Sequence, residues 1–119
     1  MTELSELIGL TLVSVEKQDN DGDELVFKTD DRTFKLYHDQ DCCESVYIED
    51  ICGELSDLVG DPLWLVEESS NVPPDSALGS HESVTWTFYR FATVKGFVTV
   101  RWCGSSNGYY SESVYFTEV

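Results

Sequence analysis

Positive charge is what this chain has least of. Seven Lys and Arg stand against 23 Asp and Glu, and the formal net charge is −16 over 119 residues. A surface of that sign repels phosphate backbones and anionic headgroups, so direct nucleic-acid binding is disfavoured and no membrane partner is expected. Long apolar runs are missing too. No stretch approaches the roughly 20 residues that cross a bilayer. The start, MTELSELIG, has neither the basic residues nor the apolar run of a secretory signal. The expectation is a cytoplasmic protein with reduced thiols. Catalytic signatures are absent as well: there is no Walker-type loop, no G-x-S-x-G and no H-E-x-x-H. No catalytic residue is assigned, and no resident cofactor is expected. Internal repeats and low-complexity tracts are also lacking.

What is present argues for a folded globule. Hydrophobic residues make up 41% and aromatics 13%, enough to build a core without staples. The length suits a single domain, 1–119. Residues 68–80, ESSNVPPDSALGS, read as a surface loop within it. The charge is lopsided: residues 1–68 hold 19 carboxylates against 4 basic side chains, residues 69–119 hold 4 against 3. The front of the chain is an acidic surface and the back a near-neutral aromatic sheet.

Periodicity predicts the elements. Thr2 to Ile8 reads as a short helix, Leu10 to Val15 as a strand, and Glu24 to Tyr37 as a hairpin turning at Asp30-Asp31. After Ile48 the apolar spacing lengthens. Ile48, Ile51, Cys52, Leu55, Leu58 and Val59 share a helical stripe, with Asp50 as N-cap and Gly60 as stop. The back half reads as a three-stranded meander turning at Lys95-Gly96 and Asn107-Gly108. Its core face would be Tyr89, Phe91, Val98, Val100, Trp102 and Tyr115. The expected fold is α+β: a mainly antiparallel, curved sheet of about seven strands with one central helix at Ile51–Leu58.

Two constellations carry chemistry. His38, Cys42, Cys43 and Cys52 offer soft ligands, and zinc is the ion they would suit. Their H-x-x-x-C-C spacing is not that of a zinc finger, and buried structural cysteines are the simpler reading. Asp39, Asp41 and Glu44 crowd the thiols and oppose a reactive thiolate. The second set is Arg90 and Arg101 beside Trp86 and Phe88. The meander register places the two arginines opposite each other, an arrangement suited to a phosphate or carboxylate. The simpler reading is that they dock acidic front-half side chains. QDNDGDE, residues 18–24, imitates the start of a calcium loop but lacks its closing glutamate, and reads as a solvated turn. His81 reads as a loop residue.

The segments YHDQDCCESVYIEDICGELSDLVG, LVEE, TWTFYRFATVKGFVTVRW and SNGYYSESV resemble a domain family of unknown function that occurs in phage and prophage genomes. The resemblance runs from about Leu7 to Phe116. It implies a small phage accessory protein acting in bacterial host cytoplasm, and it brings no activity or site residues. The leading expectation is a non-catalytic protein that binds a host protein, as a counter-defence factor using its acidic surface. The alternative is a sequestering module for a small anionic ligand such as a nucleotide. A metal- or thiol-dependent enzyme ranks third.

Overall fold

The structure, a computed structural model, describes residues 3–19, 22–39, 44–71, 83–106 and 113–119. Among these run eight strands: β1 Ser14–Asp19, β2 Asp23–Lys28, β3 Thr33–Tyr37, β4 Ser45–Cys52, β5 Leu65–Asn71, β6 Ser83–Thr93, β7 Gly96–Ser106 and β8 Tyr115–Glu118. They form two antiparallel sheets of four, in the orders β1-β2-β3-β8 and β4-β7-β6-β5. The fold is all-β, not α+β. The described residues contain no α-helix, only 3₁₀ turns at Leu4–Leu7 and Leu55–Leu58. None is long and apolar enough to cross a membrane.

Alternation builds both sheets. In β3 Phe34 and Leu36 point inward, while Thr33, Lys35 and Tyr37 point out. In β6 and β7 the inward set is Tyr89, Phe91, Val98, Val100 and Trp102, each almost wholly buried. The inner faces of the two sheets share one apolar cluster. Phe27 of β2 meets Phe91 of β6 there, with ring centroids 5.2 Å apart. Burying one such ring stabilises the fold by about 1.5–3 kcal/mol.

The expected central helix at Ile51–Leu58 does not exist, and a β-bulge explains why. Ile48 lies opposite Trp102 and Asp50 opposite Arg101, so Glu49 is an extra residue in β4. That one-residue insertion turns a spacing of two into a spacing of three. Ile48 and Ile51 thus both face the core side, Ile51 opposite Val100. Gly53 then ends the strand with φ +107°, and a Cβ there would lie 2.5 Å from the Phe97 carbonyl oxygen. The remaining apolar residues fill a single 3₁₀ turn that buries Leu58.

The meander is corrected too. β6 and β7 do form a hairpin, but its turn is Val94-Lys95, with Thr93 opposite Gly96. β8 pairs with β3 in the other sheet, Tyr37 opposite Tyr115, not with β7. Tyr115 is accordingly 40% exposed instead of joining the Trp102 face. Asn107-Gly108 lies outside the described residues, as does most of the 68–80 loop. The N-terminal helix shrinks to the Leu4–Leu7 turn, where Glu3 and Glu6 cap each other's backbone.

Candidate functional site

The sheet β4-β7-β6-β5 has an outer face that gathers most of the aromatic and arginine side chains singled out above. Trp86, Phe88 and Arg90 alternate along β6, beside Cys103, Arg101, Thr99 and Phe97 of β7 and Tyr47 of β4. Tyr47 is 41% and Phe97 55% exposed, and Trp64 packs edge-on against Phe97 with centroids 5.6 Å apart. Trp86 and Phe88 are half-buried.

The hairpin turn sits one residue earlier than the sequence suggested, which moves the pairing by two residues. A shift of two keeps every side chain on its face. Arg90 therefore shares the face with Arg101, but lies opposite Thr99, while Phe88 lies opposite Arg101. The two guanidiniums do not form one fork. Arg101 Nη2 sits 2.6 Å from Glu49 Oε1, and its guanidinium carbon lies 5.2 Å from the centre of the Trp86 ring. Its Nε is buried without a hydrogen-bond partner. Arg90 Nη1 lies 3.7 Å from Glu67 Oε2 at an exposed site. The bulge that misled the helix reading is what aims Glu49 at Arg101.

His38 is placed elsewhere. Its Nδ1 is 2.7 Å from the Ser113 carbonyl oxygen, and its Nε2 is 2.9 Å from Glu44 Oε2. Both side chains are almost wholly buried, and the imidazole stacks on Tyr115. The carbonyl can only accept, so Nδ1 carries a proton, and the second shared proton lies between Nε2 and the carboxylate. The contact ties the end of β3 to the start of β4 and the approach to β8.

The Cys52 thiol is separated from this histidine. Cys52 ends β4, eight residues beyond Glu44, which at about 3.3 Å per strand residue is a separation of roughly 20 Å or more. Zinc ligands must lie about 2.0–2.3 Å from one ion, so the structure does not bring His38 and Cys52 together. Cys42 and Cys43 lie outside the described residues. Among the described residues no three His, Cys, Asp or Glu side chains converge on a metal-sized point. The Cys52 thiol donates to Asp50 at 3.4 Å, and this contact pushes its pKa up. Burial raises that of Cys103. Both shifts oppose thiolate chemistry at neutral pH. The Tyr47 phenol is raised in turn by its hydrogen bond to Cys103.

A feature no sequence motif announces lies on the inner side. Where β5 and β6 run past the apolar core, Glu68, Ser70, Thr85, Thr87 and Tyr89 line a cleft of about 330 Å³ with Ser113 and Val114. Tyr89 is fully buried, and its hydroxyl has no hydrogen-bond partner of ordinary geometry. Burial and the nearby Glu68 carboxylate push the phenol well above its usual pKa. The sequence hinted at this only through the change from Val66 to Glu68 and Ser70 at inward positions of β5.

A family model described as a domain of unknown function (DUF7448) matches residues 5–116. No curated protein and no solved structure matches the chain.

Proposed function

The chain belongs to the DUF7448 domain family, which carries no assigned activity, and from that premise we propose that it is a non-catalytic module that binds a protein partner. The observation behind this reading is the outer face of β4-β7-β6-β5. Tyr, Trp, Phe and Arg are the residues that anchor protein interfaces, because they bury much surface at small entropic cost. Here Tyr47, Phe97, Trp86, Phe88, Arg90 and Arg101 share one face, Tyr47 and Phe97 openly exposed. Glu49, Asp50 and Glu67 lie along it, and the charge of −16 favours a partner with a basic surface. The resemblance of the YHDQDCCE and SNGYYSE segments to a family found in phage genomes supports reading that partner as a host protein and the role as counter-defence. The rival reading, a nucleotide-sized anion at Arg90 and Arg101, has less support. Each guanidinium has a carboxylate beside it that an anion would have to displace.

The test is affinity capture from bacterial lysate with the parent and with a Tyr47→Ser/Phe97→Ser variant, identification of the retained protein, and titration of that purified protein. Exposed anchors cost about 1–2 kcal/mol or more each when truncated, so the variant is expected to bind at least tenfold more weakly while keeping the parent's far-UV circular dichroism and a cooperative melt above the assay temperature. Equal affinity of parent and variant, or no retained protein, would overturn the proposal.

A further inference from the structure

The inner-face cleft beside β5 and β6 has a chemistry of its own. Its wall is rich in oxygen: the Glu68 carboxylate and the hydroxyls of Ser70, Thr85, Thr87 and Tyr89, beside Val114. The register shows where the lining changes. Val66 lies opposite Phe91 in the apolar core; one step further along the same face, Glu68 lies opposite Tyr89 and Ser70 opposite Thr87. An inner face that ran out of core would simply end. This one continues with polar side chains and keeps a tyrosine with no exposed surface among them.

Tyr89 supplies the independent observation. A buried phenol without a hydrogen bond costs about 1–3 kcal/mol. Glu68 stands close enough to raise the phenol's pKa but makes no hydrogen bond of ordinary geometry to it. A group that binds Glu68 from the open side and settles it over the phenol would let Tyr89 donate to the carboxylate.

The lining states the charge of that group. Among the described residues the cleft contains one formal charge, negative, and no Lys, Arg or His. A second cleft, of about 580 Å³, shares Glu68 and Val114 with the first and adds Glu3 with the rings of Tyr37, Tyr115 and Phe116; the Lys35 ammonium lies 4.7 Å from the centre of the Tyr37 ring. Among the described residues no cation lines the first cleft, so an anion finds no donor of positive charge there. An ammonium group finds a carboxylate and several hydroxyl acceptors in the first. In the second it finds another carboxylate and aromatic faces, which attract cations. The field of a chain carrying −16 concentrates such ligands near the surface.

We infer that the cleft at Glu68 and Tyr89 is a binding site for an aliphatic ammonium ligand, with Glu68 as the charge partner and Tyr89 as the residue that positions Glu68. The adjoining cleft suits a second ammonium on the same chain, so linear di- and polyamines are the ligand class. The site lies on the inner side of the sheet whose outer face is proposed for protein binding, and it does not depend on that proposal.

Isothermal titration with spermidine at near-physiological salt tests it, on the full chain and on three variants. Glu68→Gln removes the charge. Tyr89→Phe removes only the hydroxyl. Glu16→Gln, on the other sheet, removes one exposed carboxylate far from the cleft and controls for diffuse attraction. The expected result is saturable binding to the parent and to Glu16→Gln, tenfold or greater weakening in Glu68→Gln, and several-fold weakening in Tyr89→Phe. Tyr89→Phe should also melt no lower than the parent, because it deletes an unpartnered hydroxyl. Equal weakening by Glu16→Gln and Glu68→Gln, or no saturable binding to the parent, would overturn the site. A cleft that took glucose and refused spermidine would overturn the ligand class.

Discussion

His38 shows how much one side chain can hold. It is buried between an acceptor that cannot change, the Ser113 carbonyl, and one that can, Glu44. Removing one partner from such a buried contact costs about 3–5 kcal/mol, so His38→Ala should lower the unfolding free energy by roughly 3 kcal/mol or more in urea titrations. A loss under about 1 kcal/mol would mean that the contact is not formed in solution. Arg32 is the opposite case, a solvent-facing cation. It reaches Glu118 with two nitrogens at 2.9 and 3.0 Å and Glu6 at 3.1 Å, over the Phe34 ring. The hydrogen bond to the Glu3 backbone and the Arg32 guanidinium hold Glu6 below the ordinary carboxylate value of 4.5, and Arg32 holds Glu118 there too. A carboxylate whose folded pKa is depressed adds stability that is fully present above its unfolded pKa. That stability fades as pH falls through the folded value. The difference in melting temperature between the parent and Arg32→Ala should therefore be present at pH 6–7 and shrink as pH falls below 4.5. A difference that grew on acidification would contradict the sign.

The β4 bulge is the element on which sequence and structure part ways. Most strands were legible, because Phe34 and Leu36, or Val98, Val100 and Trp102, alternate cleanly and nothing interrupts them. The face shared by Arg90, Arg101, Trp86 and Phe88 was legible for the same reason, since a misplaced two-residue turn moves register by two and leaves faces intact. What could not be read was a local insertion. Glu49 puts Ile48 and Ile51 three apart on one face, and three apart is also the signature of a helix. The partner of β8 was hidden as well, because strand pairing across 78 or more residues leaves no local trace. Gly53 separates the two readings by sign. In a helix over Ile51–Leu58, Gly53→Ala would stabilise by up to about 1 kcal/mol. At φ +107° with a carbonyl oxygen 2.5 Å from the new Cβ, it should instead destabilise by about 2 kcal/mol or more. Gly9→Ala, with φ +87° and open space around it, should cost only about 1 kcal/mol. Equilibrium urea unfolding of both variants gives the answer.

At the scale of the whole molecule, three surfaces differ in chemistry. One outer face carries aromatics and arginines, the inner cleft carries oxygen, and the outer face of β1-β2-β3-β8 carries mixed charge such as Glu16 and Lys28. Among the described residues, the first alone has the composition of an interface core. Long-range attraction from the charge of −16 should speed association with a basic partner, so the association rate should fall steeply between 50 and 300 mM salt while the dissociation rate changes little. An association rate insensitive to salt would remove the electrostatic part of the proposal. The most direct test of the central claim compares the two outer faces against the same purified partner. Tyr47→Ser/Phe97→Ser alters the aromatic face, and Glu16→Ser/Lys28→Ser alters the opposite one without changing net charge. The expected result is at least tenfold weaker binding from the first pair and parental affinity from the second. Weakening by the second pair alone, or equally by both, would contradict it.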